Sequence, residues 1–301
     1  METQSISSVE DLLRLLGKYN RQYADNTGGY IFRGVSSESW NLLPSVYRKT
    51  DKEIIGNSRN VSIEVGSNIY RTNEKDILRE FQRQASSLLP HIPASNLIMW
   101  MQYAQHYGVP TRLLDFTENP LIALFFCCKT KPDNNGALWI INTDNYSSWV
   151  SDDYYCLTEA LFCTDDFVAS VIADFKAIDE VSDRDRSRGI VAPVFFKPEY
   201  IDARMAAQLS CFLLWGKNTN PLESIVSEQK WMRLSDGAIV YDVVDDKRFL
   251  AKVTIPKSVK HNLLCQLDLL GVNERSIFPG VEGIAKYVER FYRNHADDLK
   301  W

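Results

Sequence analysis

The stretch Gln105-His106-Tyr107-Gly108-Val109-Pro110-Thr111-Arg112-Leu113-Leu114-Asp115-Phe116-Thr117-Glu118-Asn119-Pro120, continuing through Leu121 to Cys128, decides the fold. Gly108, with Pro110 two residues on, is a helix stop. Upstream, Leu97, Trp100, Met101, Ala104 and Tyr107 recur at helical spacing behind Ser95, a capping residue. Arg112 to Thr117 then reads as a strand. Asn119-Pro120 restarts a helix: the Asn side chain caps, and the proline sits where its missing N–H costs nothing. Leu121 to Cys128 is apolar on nearly all sides, which predicts a central helix. Gly136 to Asn142 follows as a buried strand.

Outward from this segment, strands and helices alternate without a steady period. Upstream, Ser7-Ser8 before Glu10 and Asp11 caps a helix whose apolar stripe is Val9, Leu12, Leu13 and Leu16. Asn26 to Gly29 is a turn, and Tyr30 to Arg33 is a short strand. Residues 35–72 are irregular, with Trp40, Leu42, Leu43, Pro44 and Tyr47 pinning them to the core. Asp76 to Leu89 has helical periodicity ended by Pro90.

Downstream, residues 145–163 stay ambiguous, Thr164 opens a helix, and 179–188 is a charged loop. Ile190 to Phe196 and Ser210 to Trp215 are strands. Asn220-Pro221 starts a helix ending near Leu234. Ala238 to Val244 and Lys247 to Ile255 read as a hairpin turned at Asp245-Asp246. Ser258 to Leu270, stopped by Gly271, and Pro279 to Arg293 are the last helices. No repeat and no Gly/Ser or Pro-rich linker divides the chain. The expectation is one α+β domain over 1–301, with a mixed, mostly antiparallel sheet and flanking helices. Its ends are an N-terminal helix and turn at 1–29 and a C-terminal helix at 279–301, with the 179–188 loop as the one internal seam.

Of the 301 residues, 45% are hydrophobic and 12% aromatic, enough for a sizeable core. A net charge of -5 argues against broad, non-specific nucleic-acid binding, which calls for a basic excess. The polar start lacks a signal-peptide pattern, and the apolar run at Leu121 to Cys128 is too short to span a bilayer. The expectation is a cytoplasmic protein with no membrane association. The six cysteines (Cys127, Cys128, Cys156, Cys163, Cys211, Cys265) show no C-x-x-C spacing and read as buried reduced thiols; no metal site is expected. Asp115, Asp152, Asp153, Asp165 and Asp166 lack the arrangement of a metal-dependent nuclease.

The candidate chemistry lies at four places. In Tyr30-Ile31-Phe32-Arg33-Gly34, alternation puts Phe32 toward the core and Arg33 on the other side. Gly34 lets a ligand or another segment approach the backbone. Arg33 offers the planar fork that matches phosphate or carboxylate; alternatively it pairs within the fold, for example with Asp115. Arg112 flanks the strand bearing Asp115 and Thr117, and Asn119 opens a helix N-terminus with free N–H groups, a weak anion site; alternatively these groups satisfy loops and caps. His106, near a helix C-terminus, is an acid or donor candidate, or a cap for the last carbonyls. Gln208 and Ser210 share one side of the strand beginning there, or bond the strand edge. The catalytic candidates are therefore Asp115, Gln208 and His106; the ligand-binding candidates are Arg33, Gly34, Arg112, Thr117, Asn119 and Ser210.

These segments resemble the FRG domain family, named for an (F/Y)-R-G motif matched by Phe32-Arg33-Gly34. Further matching blocks are 104–126, Arg204 to Phe212, and Ser276-Ile-Phe-Pro-Gly-Val-Glu-Gly-Ile-Ala. The resemblance implies a bacterial or phage setting in antiviral defence or toxin systems. The chain is also similar, more weakly, to arginine-type ADP-ribosyltransferases. Arg33-Gly34 matches the Arg that opens their NAD site, and Leu114 to Thr117 matches the second strand. Gln208 to Leu213 matches the third, with Ser210 where that family has its catalytic Glu. Cleaving the nicotinamide–ribose bond builds an oxocarbenium-like centre that a serine cannot stabilise. Either Asp115 supplies the acid, or the site binds a nucleotide without that reaction, or the comparison is false. Two readings follow: a nucleotide-handling enzyme with NAD as candidate substrate and no resident cofactor, or a non-enzymatic sensor or protein-interaction module with a partner in a defence system.

Overall fold

The computed structural model describes residues 5–22, 29–49, 54–55, 62–63, 74–150, 192–216, 218–228, 230–235, 238–243 and 249–294. Its centre is a six-stranded open sheet in the order β10-β5-β1-β4-β7-β6, with every neighbouring pair antiparallel. The strands are β1 (Tyr30–Val35), β4 (Leu113–Thr117), β5 (Gly136–Asn142), β6 (Val194–Phe196), β7 (Ser210–Leu214) and β10 (Leu250–Ile255). An isolated parallel bridge joins Ser5 to Thr254 at the edge. Two short pairs stand apart: β2 (Ile54–Ile55) with β3 (Ser62–Ile63), and β8 (Lys230–Ser235) with β9 (Ala238–Val243). The α+β expectation holds.

Helices cover both faces of the sheet, so its strands bury both sets of alternating side chains. All seven residues of β5 are buried for this reason. Ile31, Val35, Trp139 and Ile141 join one core with α2 (Glu74–Ala85) and α3 (Leu97–His106). Phe32, Leu138, Ile140 and Val253 join the other, with α1 (Val9–Gln22), α4 (Pro120–Cys128) and a helix at Lys260–Leu269. Helix α4 lies directly on β1. A side chain at Gly34 would put its Cβ 1.7 Å from the Ala123 carbonyl oxygen, so the glycine is what lets helix and strand approach. No described helix is long and apolar enough to cross a membrane.

Local signals place several boundaries well. Asn119 caps α4, accepting from the Leu121 and Ile122 N–H groups, with Pro120 at the first position. Gly108 has φ +84°, the left-handed conformation a helix stop favours. Ser8 and Asp11 exchange bonds across the start of α1.

Other expectations are corrected. Helix α3 is capped by Asn96, not Ser95, and Tyr107 lies beyond its end, 68% exposed. In α1 the second turn buries Leu15 rather than Leu13: Leu13 lies on the opposite side of Val9 from Leu12 and Leu15, at the edge of the buried stripe. Helix α2 runs Glu74–Ala85, leaving Leu88 outside it and exposed. The helix after Asn220 covers only Leu222–Glu228 (α7, after α5 at Thr143–Val150 and α6 at Ala203–Ala207), because Lys230–Ser235 is a strand. The expected hairpin does not form: Ala238–Val243 pairs with Lys230–Ser235, while Leu250–Ile255 pairs with β5 along its whole length. The last helices are α8 (Lys260–Leu269), a short α9 (Glu274–Ile277) and α10 (Val281–Asn294). Cys127, Cys128 and Cys211 are buried, but Cys265 is exposed. The turn at 26–28, the helix opened by Thr164, the 179–188 loop, Cys156 and Cys163 lie outside the described residues.

Candidate functional site

Strands β1 and β4 share a single main-chain pair, Phe32 with Thr117. At this junction opens a cavity of about 270 Å³. Arg33, Gly34, Asp115 and Thr117 line it from the two strands, and Gln208 and Ser210 from the start of β7. Helix α3 adds Gln102, Gln105 and His106. The apolar wall is Phe32, Phe116, Ile122, Phe126 and Phe212. Seven of the sequence candidates therefore converge: Arg33, Gly34, His106, Asp115, Thr117, Gln208 and Ser210.

Arg33 projects between the strands. One terminal nitrogen, Nη1, donates to the Asp115 main-chain oxygen at 2.5 Å and stands 4.0 Å from carboxylate Oδ2. Its Nε is buried without a hydrogen-bond partner. Burial pulls the guanidinium down to about 10; Asp115 opposes that shift and Arg48 adds to it. The group still carries its charge at neutral pH. Across the cavity wall, Gln102 is 2% exposed and its Oε1 also lacks a partner. A buried donor and a buried acceptor, both unsatisfied, thus border one space. Such groups cost about 1–3 kcal/mol each when left unmade, so they mark where something polar belongs.

Asp115 is held from the other side. Thr111 Oγ1 donates to Gln105 Oε1, which turns the Gln105 amide N–H onto Asp115 Oδ1 at 2.7 Å. Half of the carboxylate is fixed and the side chain stays open to solvent. Thr117 is more committed: its hydroxyl donates to the Gln208 carbonyl at 2.6 Å and accepts from Asn119 N–H at 3.0 Å.

On the rim, His106 Nδ1 sits 2.9 Å from Asp202 Oδ2. The other oxygen of Asp202 caps α6, accepting from Met205 N–H at 2.8 Å. The imidazole thus faces a carboxylate that is itself held by the helix it caps, but the contact lacks hydrogen-bond alignment and Asp202 Oδ2 has no hydrogen-bond partner among the described residues. Gln208 Nε2 donates to the Ile277 carbonyl at 3.2 Å. Leu209 between Gln208 and Ser210 takes φ +46°, a strained conformation for a leucine, and aligns Ser210 opposite Thr117. Arg204 of α6 completes the lining.

Two candidates lie elsewhere. Arg112 is buried, its Nε and Nη2 each 2.6 Å from a Glu74 oxygen, and its Nη1 donates to the Trp215 and Gly216 carbonyls. That network consumes the guanidinium away from the cavity, so it is a core ion pair. Asn119 serves as the α4 cap and does not line the cavity. Sequence reasoning missed Gln102 and Arg204. The first carried a signal: an amide one turn from Ile98 on the inward side of an apolar helix.

Chemically, the cavity offers a mostly buried cation, a fixed carboxylate, an imidazole beside a second carboxylate and an apolar wall. Residues 28–136, about a third of the chain, match the family model of the FRG domain. No curated protein and no solved structure matches the chain.

Proposed function

We propose that the cavity binds a phosphate-bearing small molecule of nucleotide type. The observation that carries this reading is the Arg33 guanidinium, buried against the cavity with Nε unpartnered and charge retained. A phosphate oxygen satisfies such a fork better than water does. Gln102 Oε1 is a matching acceptor for a ligand hydroxyl or amine. The phenyl rings of Phe32, Phe126 and Phe212 supply a surface for a planar, weakly polar moiety. The volume, about 270 Å³, lies just below that of ligand sites, which run from roughly 300 Å³ upward.

The same geometry supports nucleotide chemistry as well as binding. Asp115 provides a negative charge beside the Arg33 anion site, which is what an oxocarbenium-like centre at a ribose carbon needs. His106, 2.9 Å from Asp202, supplies a proton acceptor or donor at the rim. Thr117 is left with little hydrogen-bonding capacity for a ribose, so Gln208 and Ser210 carry that role. On this reading NAD is a candidate substrate, and a defence or toxin setting, with a protein partner as target or regulator, is the context the FRG resemblance suggests.

Calorimetric titration with NAD, mononucleotides and dinucleotides tests the proposal. Binding is expected, and Arg33→Ala is expected to weaken it roughly tenfold or more, the equivalent of one charge-assisted bond of about 1.5–3 kcal/mol. No binding at millimolar ligand, or binding indifferent to Arg33→Ala, removes the reading. A second reading rests on the Arg33 bond to the Asp115 main chain, which links β1 to β4. If that link is the residue's whole purpose, Arg33→Ala lowers the melting temperature and no nucleotide raises it.

A further inference from the structure

The tail segment around Phe278 gathers cations that the cavity reading leaves unused. Phe278 is 6% exposed, and three positive groups crowd its ring. Lys129 Nζ is 4.1 Å from the ring centre, the Arg204 guanidinium carbon 5.0 Å, and Lys286 Nζ 5.2 Å. Each comes from a different helix or helix end: Lys129 closes α4, Arg204 is in α6, Lys286 is in α10. The nearby acids are engaged. Lys286 is paired with Glu282 one turn away. Glu274 accepts two bonds from Arg290 Nε, which also stands 3.6 Å, through Nη2, from Asp268. Lys129 and Arg204 have no ion pair among the described residues. Burial lowers the Lys129 pKa, and Lys286 and Arg204 lower it further, while Glu274 and Glu282 partly oppose the shift.

The cluster adjoins the Arg33 cavity. Arg204 belongs to both, and Phe126 of the cavity wall meets the Phe278 ring edge-on at 6.1 Å. We propose that Lys129, Arg204 and Lys286 form a second anion subsite continuous with the Arg33 site, so that the ligand carries at least two linked phosphates rather than one. The inference rests on the nucleotide reading and narrows it to the diphosphate class. The cations around Phe278 lose their mutual repulsion when a second phosphate settles among them, and Arg204 bridges the two subsites.

The test compares AMP, ADP and inorganic pyrophosphate on the full chain by calorimetry. ADP is expected to bind about tenfold more tightly than AMP at low salt, and the advantage to shrink as salt rises. Lys129→Gln is expected to bring the ADP-to-AMP affinity ratio toward one and to abolish pyrophosphate binding, whereas Arg33→Lys weakens AMP and ADP together. Equal affinity of AMP and ADP, or a Lys129→Gln protein with an undiminished ratio, overturns the second subsite and leaves the nucleotide reading standing. Pyrophosphate binding that needs Lys129 but ignores Arg33 overturns the nucleotide reading instead. Absence of binding by all three probes overturns both. Lys129→Arg, which keeps the charge, is expected to retain the ratio; loss of the ratio there too assigns Lys129 a packing role and sinks the proposal.

Discussion

Gly34→Ala separates two roles for one glycine. The added methyl would sit 1.7 Å from the Ala123 carbonyl oxygen, 2.8 Å from its carbon and 2.9 Å from the Cys127 nitrogen. All three are main-chain atoms of α4, so no side chain can swing aside. Restoring ordinary contact of about 3.4 Å requires the helix to move off β1 by well over an ångström, against a close-packed core. Overpacking of this kind costs about 1–3 kcal/mol where neighbours yield, and the rigid contact here puts the expected loss at the upper end, about 3 kcal/mol or more. In a protein of 301 residues that corresponds to a fall in Tm of about 5 °C. Thermal melts followed by circular dichroism, with urea unfolding for the free energy, measure it. A variant that melts within about 2 °C of the parent refutes the helix-approach argument and returns Gly34 to a ligand-facing role alone.

Further consequences can be measured on the same protein. Arg112→Met leaves Glu74 buried without its partner and is expected to cost about 3–5 kcal/mol, most of it recovered in the double variant Arg112→Met/Glu74→Leu; urea unfolding of the three proteins checks this. Burial pushes the Cys128 thiol up to about 12 and those of Cys127 and Cys211 higher than usual, so the folded state holds those protons where an unfolded thiol, at 9.0, has begun to lose them. Stability is therefore expected to fall as pH rises from about 9 toward 12, and alkylation of the native protein at pH 8.5, mapped by mass spectrometry, to modify Cys265 before Cys127, Cys128 and Cys211. Equal labelling of these four contradicts the buried placement.

What could be read from the chain was whatever depended on near neighbours. Asn119-Pro120, Gly108 and the uninterrupted apolar run at Gly136–Asn142 are local signals, and each boundary agrees with the structure. The partner of Leu250–Ile255 was not legible, because any amphipathic strand nearby satisfies the same pattern; the choice of β5 over Ala238–Val243 is made by tertiary packing. At the site, six of the seven convergent residues came from segments singled out for polar groups at strand ends and His106 from a helix end, and the β4–β7 register, with Thr117 opposite Ser210, brings the Asp115–Thr117 and Gln208–Ser210 segments together. Arg112 misled because its partner, Glu74, lies far away in sequence and carries no motif. Gln102 was hidden in an apolar helix whose periodicity drew attention to its hydrocarbon neighbours.

On the proposed reading, the unpartnered Arg33 nitrogen and the Gln102 oxygen await a phosphorylated ligand. A crystal structure of the protein grown with a nucleotide that binds in calorimetry addresses both atoms at once. A phosphate oxygen is expected about 2.9 Å from Arg33 Nε, with a ligand hydroxyl or amine on Gln102 Oε1. A ligand seated elsewhere, or a protein group occupying both atoms, contradicts it.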